Sequence, residues 1–311
     1  MKARFYCCAA YVATACVLSA CAVHNPYAAT NKSYRTQVKA YAKALRTTPV
    51  PTPGADSLAG KYWVGTTNFN LRKPNYVVIH HTAQDSTGQT LRTFTLPRTQ
   101  VSAHNVIGRD GRVYHLLNDY LRAWHGGAAR WGHDTDLNSS SIGIELDNNG
   151  TEAFAEPQIT SLLKVLAGLK KAYNIPTTNF IGHADIAPTR KNDPSARFPW
   201  RRLAEKGFGL WYDAGPLPDP AGETAPALPA GALPLPPLPD STALDAHLAQ
   251  LNAAATASFN PREALRLIGY DTRDLVAAVR AFKRHFIQQD VDAPLSEADR
   301  RILYNLSQKY L

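Results

Sequence analysis

Short apolar runs and one long amphipathic stretch divide the middle of the chain. Tyr76-Val77-Val78-Ile79 is a β-branched run of the kind that fills a buried strand. Val101 to Ile107 and Arg112 to Leu117 flank Arg109-Asp110-Gly111, a hairpin turn signal. Ser141 to Leu146 predicts a further strand, closed by Asn148-Asn149-Gly150. From Pro157 to Tyr173, Ile159, Leu162, Leu163, Leu166 and Leu169 recur at helical spacing, and Pro157 suits the first turn. Asn179-Phe180-Ile181-Gly182 then returns to strand. Strands interleaved with helices predict an α/β or α+β sheet domain over residues 72–213.

Outside this core the pattern changes. Residues 22 to about 70 are polar and centred on Pro49-Val50-Pro51-Thr52-Pro53-Gly54, with a short helix expected over Ser33 to Leu45. The rest of the segment reads as a tether, and about 50 flexible residues reach on the order of 40 Å. Residues 214–240 hold nine of the 22 prolines and predict a semi-rigid linker. A helical unit of about 70 residues follows. Its helices are expected to start at Ser241/Thr242 (stripe Leu244, Leu248, Leu251), Asn260-Pro261, Thr272 and Ser296. Ile268, Leu275, Val279, Phe282 and Leu303 read as the core of that bundle. Few contacts are expected to cross the linker, so the two units should be separable.

Composition sharpens this picture at the N-terminus. With 44% apolar and 19% charged residues the chain is ordinary globular material, which excludes collagen, a coiled coil and a disulfide scaffold. No run of about 20 apolar residues follows the first twenty, which excludes a polytopic membrane protein. All four cysteines lie at Cys7, Cys8, Cys16 and Cys21. Lys2 and Arg4 form a basic n-region and Phe5 to Leu18 an apolar h-region, the pattern of a secretory signal over residues 1–20. It ends in Leu18-Ser19-Ala20-Cys21, which resembles a bacterial lipobox with Cys21 as the acylated residue. Ala22 follows where inner-membrane retention usually goes with Asp, so the periplasmic face of the outer membrane is the expected residence. Losing Lys2 and Arg4, with no acid among the first twenty residues, takes the net charge from +9 to +7. That favours an acidic partner. Nucleic acid is not expected, because no clustered basic patch occurs and export is incompatible with it.

With no cysteine beyond Cys21, a metal site must be built from His, Asp or Glu. His80-His81 stands at the end of the first strand, and Glu145 is the one acid inside Ile142 to Leu146. The segment Gly182-His183-Ala184-Asp185-Ile186-Ala187-Pro188, with Lys191 and Asp193 after it, packs His, Asp and Lys into one loop. Two imidazoles and one carboxylate with an open fourth position are the ligand set of a hydrolytic zinc site. Zinc brings the pKa of bound water towards 7 and polarises a carbonyl, and a nearby carboxylate can take the proton.

These pieces occur in one order with Val77 to Ala83, Ser102-Ala103-His104 and Ala123-Trp124-His125-Gly126-Gly127. The order resembles the type 2 zinc N-acetylmuramoyl-L-alanine amidases, relatives of phage amidases and peptidoglycan recognition proteins. The lipobox and the helical C-terminal unit, itself similar to three-helix peptidoglycan-binding modules, match its outer-membrane lipoprotein members. The resemblance implies an α/β fold with a mixed central sheet flanked by helices and a small all-α C-terminal domain. It implies residues 1–20 as signal peptide, 21–71 as lipid-anchored tether, 72–213 as catalytic domain, 214–240 as linker and 241–311 as the helical domain. It makes His80, His183 and Asp193 the ligands of a Zn2+ cofactor, Glu145 the acid/base and Lys191 a holder of the oxyanion. Spacing alone does not choose Asp193 over Asp185; the resemblance does. His81 should point away from His80, since neighbours on a strand alternate. His104, Trp124 and His125 match positions near the substrate groove, although packing roles suit them as well and Trp124 reads first as core. The implied activity is hydrolysis of the amide between N-acetylmuramic acid, or its anhydro form, and L-alanine, by a monomer acting on peptidoglycan and muropeptides. A non-catalytic peptidoglycan-binding lipoprotein of the same fold is the alternative, and non-catalytic relatives usually lack a metal ligand.

Overall fold

The structure, a computed structural model, describes residues 25–46, 66–68, 70–215, 217 and 259–311. The expected signal segment 1–20, Cys21, most of the tether, all but a few residues of the 214–240 linker and the Leu244-Leu248-Leu251 stripe lie outside the described residues. Two compact units are found, one within residues 1–68 and one within 69–311. The first contains α1, Ala28–Ala44, which buries none of its residues. It begins five residues before the expected Ser33, because Ala28 and Ala29 are strong helix formers. Among the described residues, no helix is long and apolar enough to cross a membrane.

The second unit is built on five strands: β1 Tyr76–His81, β2 Asn105–Ile107, β3 Val113–His115, β4 Ser141–Leu146 and β5 Phe180–Gly182. Their order is β3-β2-β4-β1-β5. β2 and β3 form the antiparallel hairpin that Arg109-Asp110-Gly111 predicts, and every other pair is parallel. β2 is shorter than its apolar run because residues 101–104 turn towards another loop, with Ser102 N–H donating to the Trp124 carbonyl at 3.1 Å. The helices are α2 Thr87–Thr95, the single turn α3 Leu137–Ser140, α4 Glu156–Tyr173, the single turn α5 His183–Ile186, α6 Trp200–Glu205, α7 Pro261–Ile268, α8 Leu275–Phe282 and α9 Glu297–Gln308. A π-helical turn, Lys283–Ile287, continues α8.

Alternation along β1 and β4 sends Val77, Ile79, Ile142, Ile144 and Leu146 to one face. There they pack with Phe180 against Ile159, Leu162, Leu166 and Leu169 of α4. The other face carries Val78 and Ile181, which join Ile186, Leu265, Ile268, Phe282, Leu303 and Leu306 in a second cluster. The C-terminal helices therefore cover the sheet's second face. This corrects the expectation that few contacts cross from the sheet domain to the helical unit: an uncovered second face would leave Val78, Ile181 and Ile186 in water. Asn260 caps α7 and Ser296 caps α9, as expected, with Asn260 Oδ1 accepting from Arg262 N–H at 3.0 Å. The α8 cap is Asp274 instead of Thr272, its carboxylate accepting from Ala277 N–H at 3.0 Å.

Candidate active site

The register of the sheet makes the site. His80 and Glu145 are Cα partners in the parallel β1–β4 pair, so their side chains leave adjacent strands, about 4.8 Å apart, on the same face. His81, one residue on, alternates to the other face, where its Nδ1 accepts from Ser195 N–H at 3.1 Å. β5 ends at Gly182 and His183 opens α5. The following loop folds back on that turn: Ala184 N–H donates to the Asp193 carbonyl at 2.7 Å, and Lys191 N–H to the Ala187 carbonyl at 3.0 Å. This brings Asp193 beside His183.

Three donor atoms converge. His80 Nδ1 lies 2.9 Å from His183 Nδ1 and 3.0 Å from Asp193 Oδ2, and His183 Nδ1 lies 3.1 Å from the same oxygen. All three residues are buried. The outer nitrogen of His183 faces the Gly126 carbonyl at 3.1 Å. A carbonyl only accepts, so the ring proton sits there and Nδ1 presents a lone pair to the centre. The spacings approach the edge, about 3.3 Å, of a tetrahedron with the roughly 2.0–2.1 Å bonds that zinc makes to histidine. Two neutral imidazoles and a carboxylate facing one point fit a cation. The electrostatics agree: burial first, then the neighbouring His183, bring His80 down to about 4, so it is neutral at physiological pH. Burial pushes Asp193 up, but the two imidazoles beside it outweigh that and hold the carboxyl well below its ordinary range.

Glu145 behaves differently. Burial, reinforced by the charge of Asp193 and opposed by Lys191, raises its carboxyl to about 8 in the metal-free protein. Its Oε2 is buried and takes no hydrogen bond. Lys191 is half-buried, and its charge acts on both Glu145 and His80. Glu145 and Lys191 thus both lie within electrostatic reach of the ligand cluster.

The remaining assignments divide. His125 Nδ1 lies 3.1 Å from His80 Nε2, and its Nε2 lies 3.2 Å from Ser141 Oγ. Both ring nitrogens are engaged, so His125 braces His80, the packing role its position also suits. His104 is fully buried, with Nδ1 accepting from Gly143 N–H at 3.0 Å and Nε2 beside the Leu121 carbonyl at 3.1 Å. Both of its ring nitrogens are thus engaged within the protein, which fits the packing role its position also suits. Trp124 is 53% exposed and free for a ligand, against its reading as core. Asp185 points away from the centre, bonded to Gly182 N–H at 2.7 Å. Gly143 was not singled out in the sequence, although it underlies the geometry: a Cβ there would lie 2.5 Å from His125 Cγ. The signal was available, because Ser141, Gly143 and Glu145 share a face and a glycine inside a strand marks a close approach.

The family model for N-acetylmuramoyl-L-alanine amidase matches residues 70–196, the span that holds every one of these groups. The chain is 33% identical over 226 residues to the N-acetylmuramoyl-L-alanine amidase AmiD of Escherichia coli, covering 68% of this chain and 74% of that one. It is 40% identical over 104 residues to the 1,6-anhydro-N-acetylmuramyl-L-alanine amidase AmpD of Escherichia coli, covering 33% of this chain and 57% of that protein. Among solved structures, AmiD from Escherichia coli in complex with the substrate anhydro-N-acetylmuramic acid-L-Ala-D-γ-Glu-L-Lys superimposes with a TM-score of 0.59 at 28% identity, covering 84% of this chain and 97% of that one. AmpDh3 from Pseudomonas aeruginosa gives 0.60 at 26% identity, covering 81% and 97%.

Proposed function

The chain belongs to the N-acetylmuramoyl-L-alanine amidase family, and from that premise we propose that it hydrolyses the amide joining the lactyl group of N-acetylmuramic acid, in muropeptides and their anhydro forms, to L-alanine. The observation that carries this reading is the convergence of His80, His183 and Asp193 beside a buried carboxyl, Glu145, whose Oε2 has no hydrogen-bond partner. Relatives support the substrate class: AmiD and AmpDh3 structures hold anhydromuramyl peptides.

His80 and His183, through their Nδ1 atoms, and Asp193, through Oδ2, would hold a zinc ion. When bound, zinc acidifies water and polarises a carbonyl. Glu145 supplies the proton traffic: its carboxylate takes a proton from the attacking water and delivers it to the departing amine of L-alanine. Burial favours the protonated carboxyl that the second half of the cycle needs, and a bound cation would favour the carboxylate that the first half needs. Lys191 places a positive charge where the carbonyl oxygen gains negative charge. Trp124, exposed beside His125 in the chain, offers an apolar face to the sugar. Acylation at Cys21 would hold the enzyme on the periplasmic face of the outer membrane, with the helical unit adding affinity for the wall.

Mass spectrometry of purified sacculi digested with residues 22–311, with and without a chelator, tests the reading. Stem peptides with a free L-alanine amine are expected, and they should vanish on chelation. Digests without such peptides would remove the amidase assignment, and peptides that persist under exhaustive chelation would remove the metal.

A further inference from the structure

Asp185 is two residues from the ligand His183, only 2% exposed, and outside the metal cluster. A buried carboxylate is costly unless donors surround it. Three do. Gly182 N–H donates to Oδ2 at 2.7 Å, His285 Nδ1 lies 2.7 Å from the same oxygen, and Tyr270 OH donates to Oδ1 at 2.9 Å. The first donor is local, and the other two arrive 100 and 85 residues later in the chain, from the C-terminal helices.

The delivery of His285 is built. It lies in the π-helical turn Lys283–Ile287, where the wider winding closes with Gln288 N–H donating to the Lys283 carbonyl at 2.7 Å. Single π-turns inserted in helices frequently serve functional positions. The ring is fixed on one side by Trp200, stacked at 3.8 Å and 15°, and on the other by Phe286 at 4.1 Å and 17°. The carboxylate accepts, so the His285 proton sits on Nδ1. Tyr270 follows Gly269 at the end of α7 and is itself buried.

We propose that the C-terminal helices are a working part of the metal centre, holding the His183 loop in place through the Asp185–His285–Tyr270 clasp. Asp185 fixes α5 from behind by its bond to Gly182, and His183 leaves that same turn towards His80 and Asp193. Without His285 and Tyr270, Asp185 keeps one hydrogen-bond donor, Gly182 N–H, with the Arg284 charge nearby, and α5 loses two of the contacts that hold it from behind. His285 and Tyr270 are positioning residues, since neither touches the donor atoms. The proposal rests on the metal reading of His80, His183 and Asp193.

Zinc affinity of the full chain, measured by competition with a chromophoric chelator, is the test, with the thermal midpoint of each metal-free variant as control. His285→Leu removes a donor, and a roughly tenfold loss of zinc affinity is expected, the low end of what supporting partners of metal ligands contribute. Tyr270→Phe removes a single hydroxyl and should lose affinity by a smaller factor. His285→Asn keeps an N–H near the Nδ1 position and should restore most of the loss. Leu306→Ala, a cavity in the same cluster with no hydrogen bond to Asp185, should lower the midpoint and leave zinc affinity unchanged. Unchanged affinity in His285→Leu and Tyr270→Phe, or an equal loss in Leu306→Ala, would overturn the clasp. Should His285→Leu fail to fold without metal, Tyr270→Phe decides alone. A wild-type chain that binds no zinc would instead overturn the metal reading on which the proposal stands.

Discussion

At the scale of single residues, Glu145 separates chemistry from metal binding. Glu145→Gln keeps the shape and cannot accept the proton, so near-normal zinc content with turnover lower by about 10²–10⁴ is expected. His80→Ala and Asp193→Ala should lose zinc and activity together, as metal analysis beside rates on a muramyl tripeptide would register. A second consequence is thermodynamic. In the metal-free fold Glu145 keeps its proton to about 8, against 4.5 for an unperturbed carboxyl. Between these values the folded state binds more protons than the unfolded one, so this group makes stability fall as pH rises through that window. Glu145→Gln removes the effect. The chelated variant should melt above the chelated wild type at pH 8, by a few kcal/mol at about 1.4 kcal/mol per unit, and the two should converge near pH 4. A wild type as stable as the variant at pH 8 would show that Glu145 is not desolvated as described.

At the scale of elements, the parallel β1–β4 register places the acid/base beside the first ligand, and Gly143 gives His125 room to reach His80. Gly143→Ala drives a methyl into the His125 ring, a flat group held by Ser141 and His80. A loss of about 1–3 kcal/mol is expected, as for other overpacked cores, and zinc affinity should fall with it. Thermal melts with and without zinc would show both. Much of this was legible in the sequence. Ser141 to Leu146 reads as a strand residue for residue, and its alternation already sets Glu145 apart from the isoleucines. The tasks of His125 and His104 were not legible. A motif gives a residue type and an order; it does not say whether a ring nitrogen ends on a backbone amide, a second histidine or open groove. Those partners lie 39 and 45 residues away in the chain, and only packing brings them together.

For the whole molecule, nine prolines in 214–240 suggest independent halves, because composition reports covalent continuity and says nothing about what covers a sheet. The second face of the sheet and the helices bury one another, from Val78 and Ile181 to Leu303 and Leu306. A chain ending at Asp213 is therefore expected to expose that face, bind a hydrophobic dye and hold zinc poorly, even though His80, His183, Asp193 and Glu145 are all present. A monomeric, dye-silent, zinc-replete fragment would contradict this.

The same arrangement sets an order in time. His80 and Asp193 stand 113 residues apart, and the donors that finish Asp185 follow 85 and 100 residues after it. Contacts of such separation close late, since the chain entropy of each long loop must be overcome first. A polypeptide threading from its N-terminus offers its ligands early and its clasp almost last. The contacts that finish Asp185 thus form only after nearly the whole chain has been made, so a partly synthesised chain presents all three ligands without them.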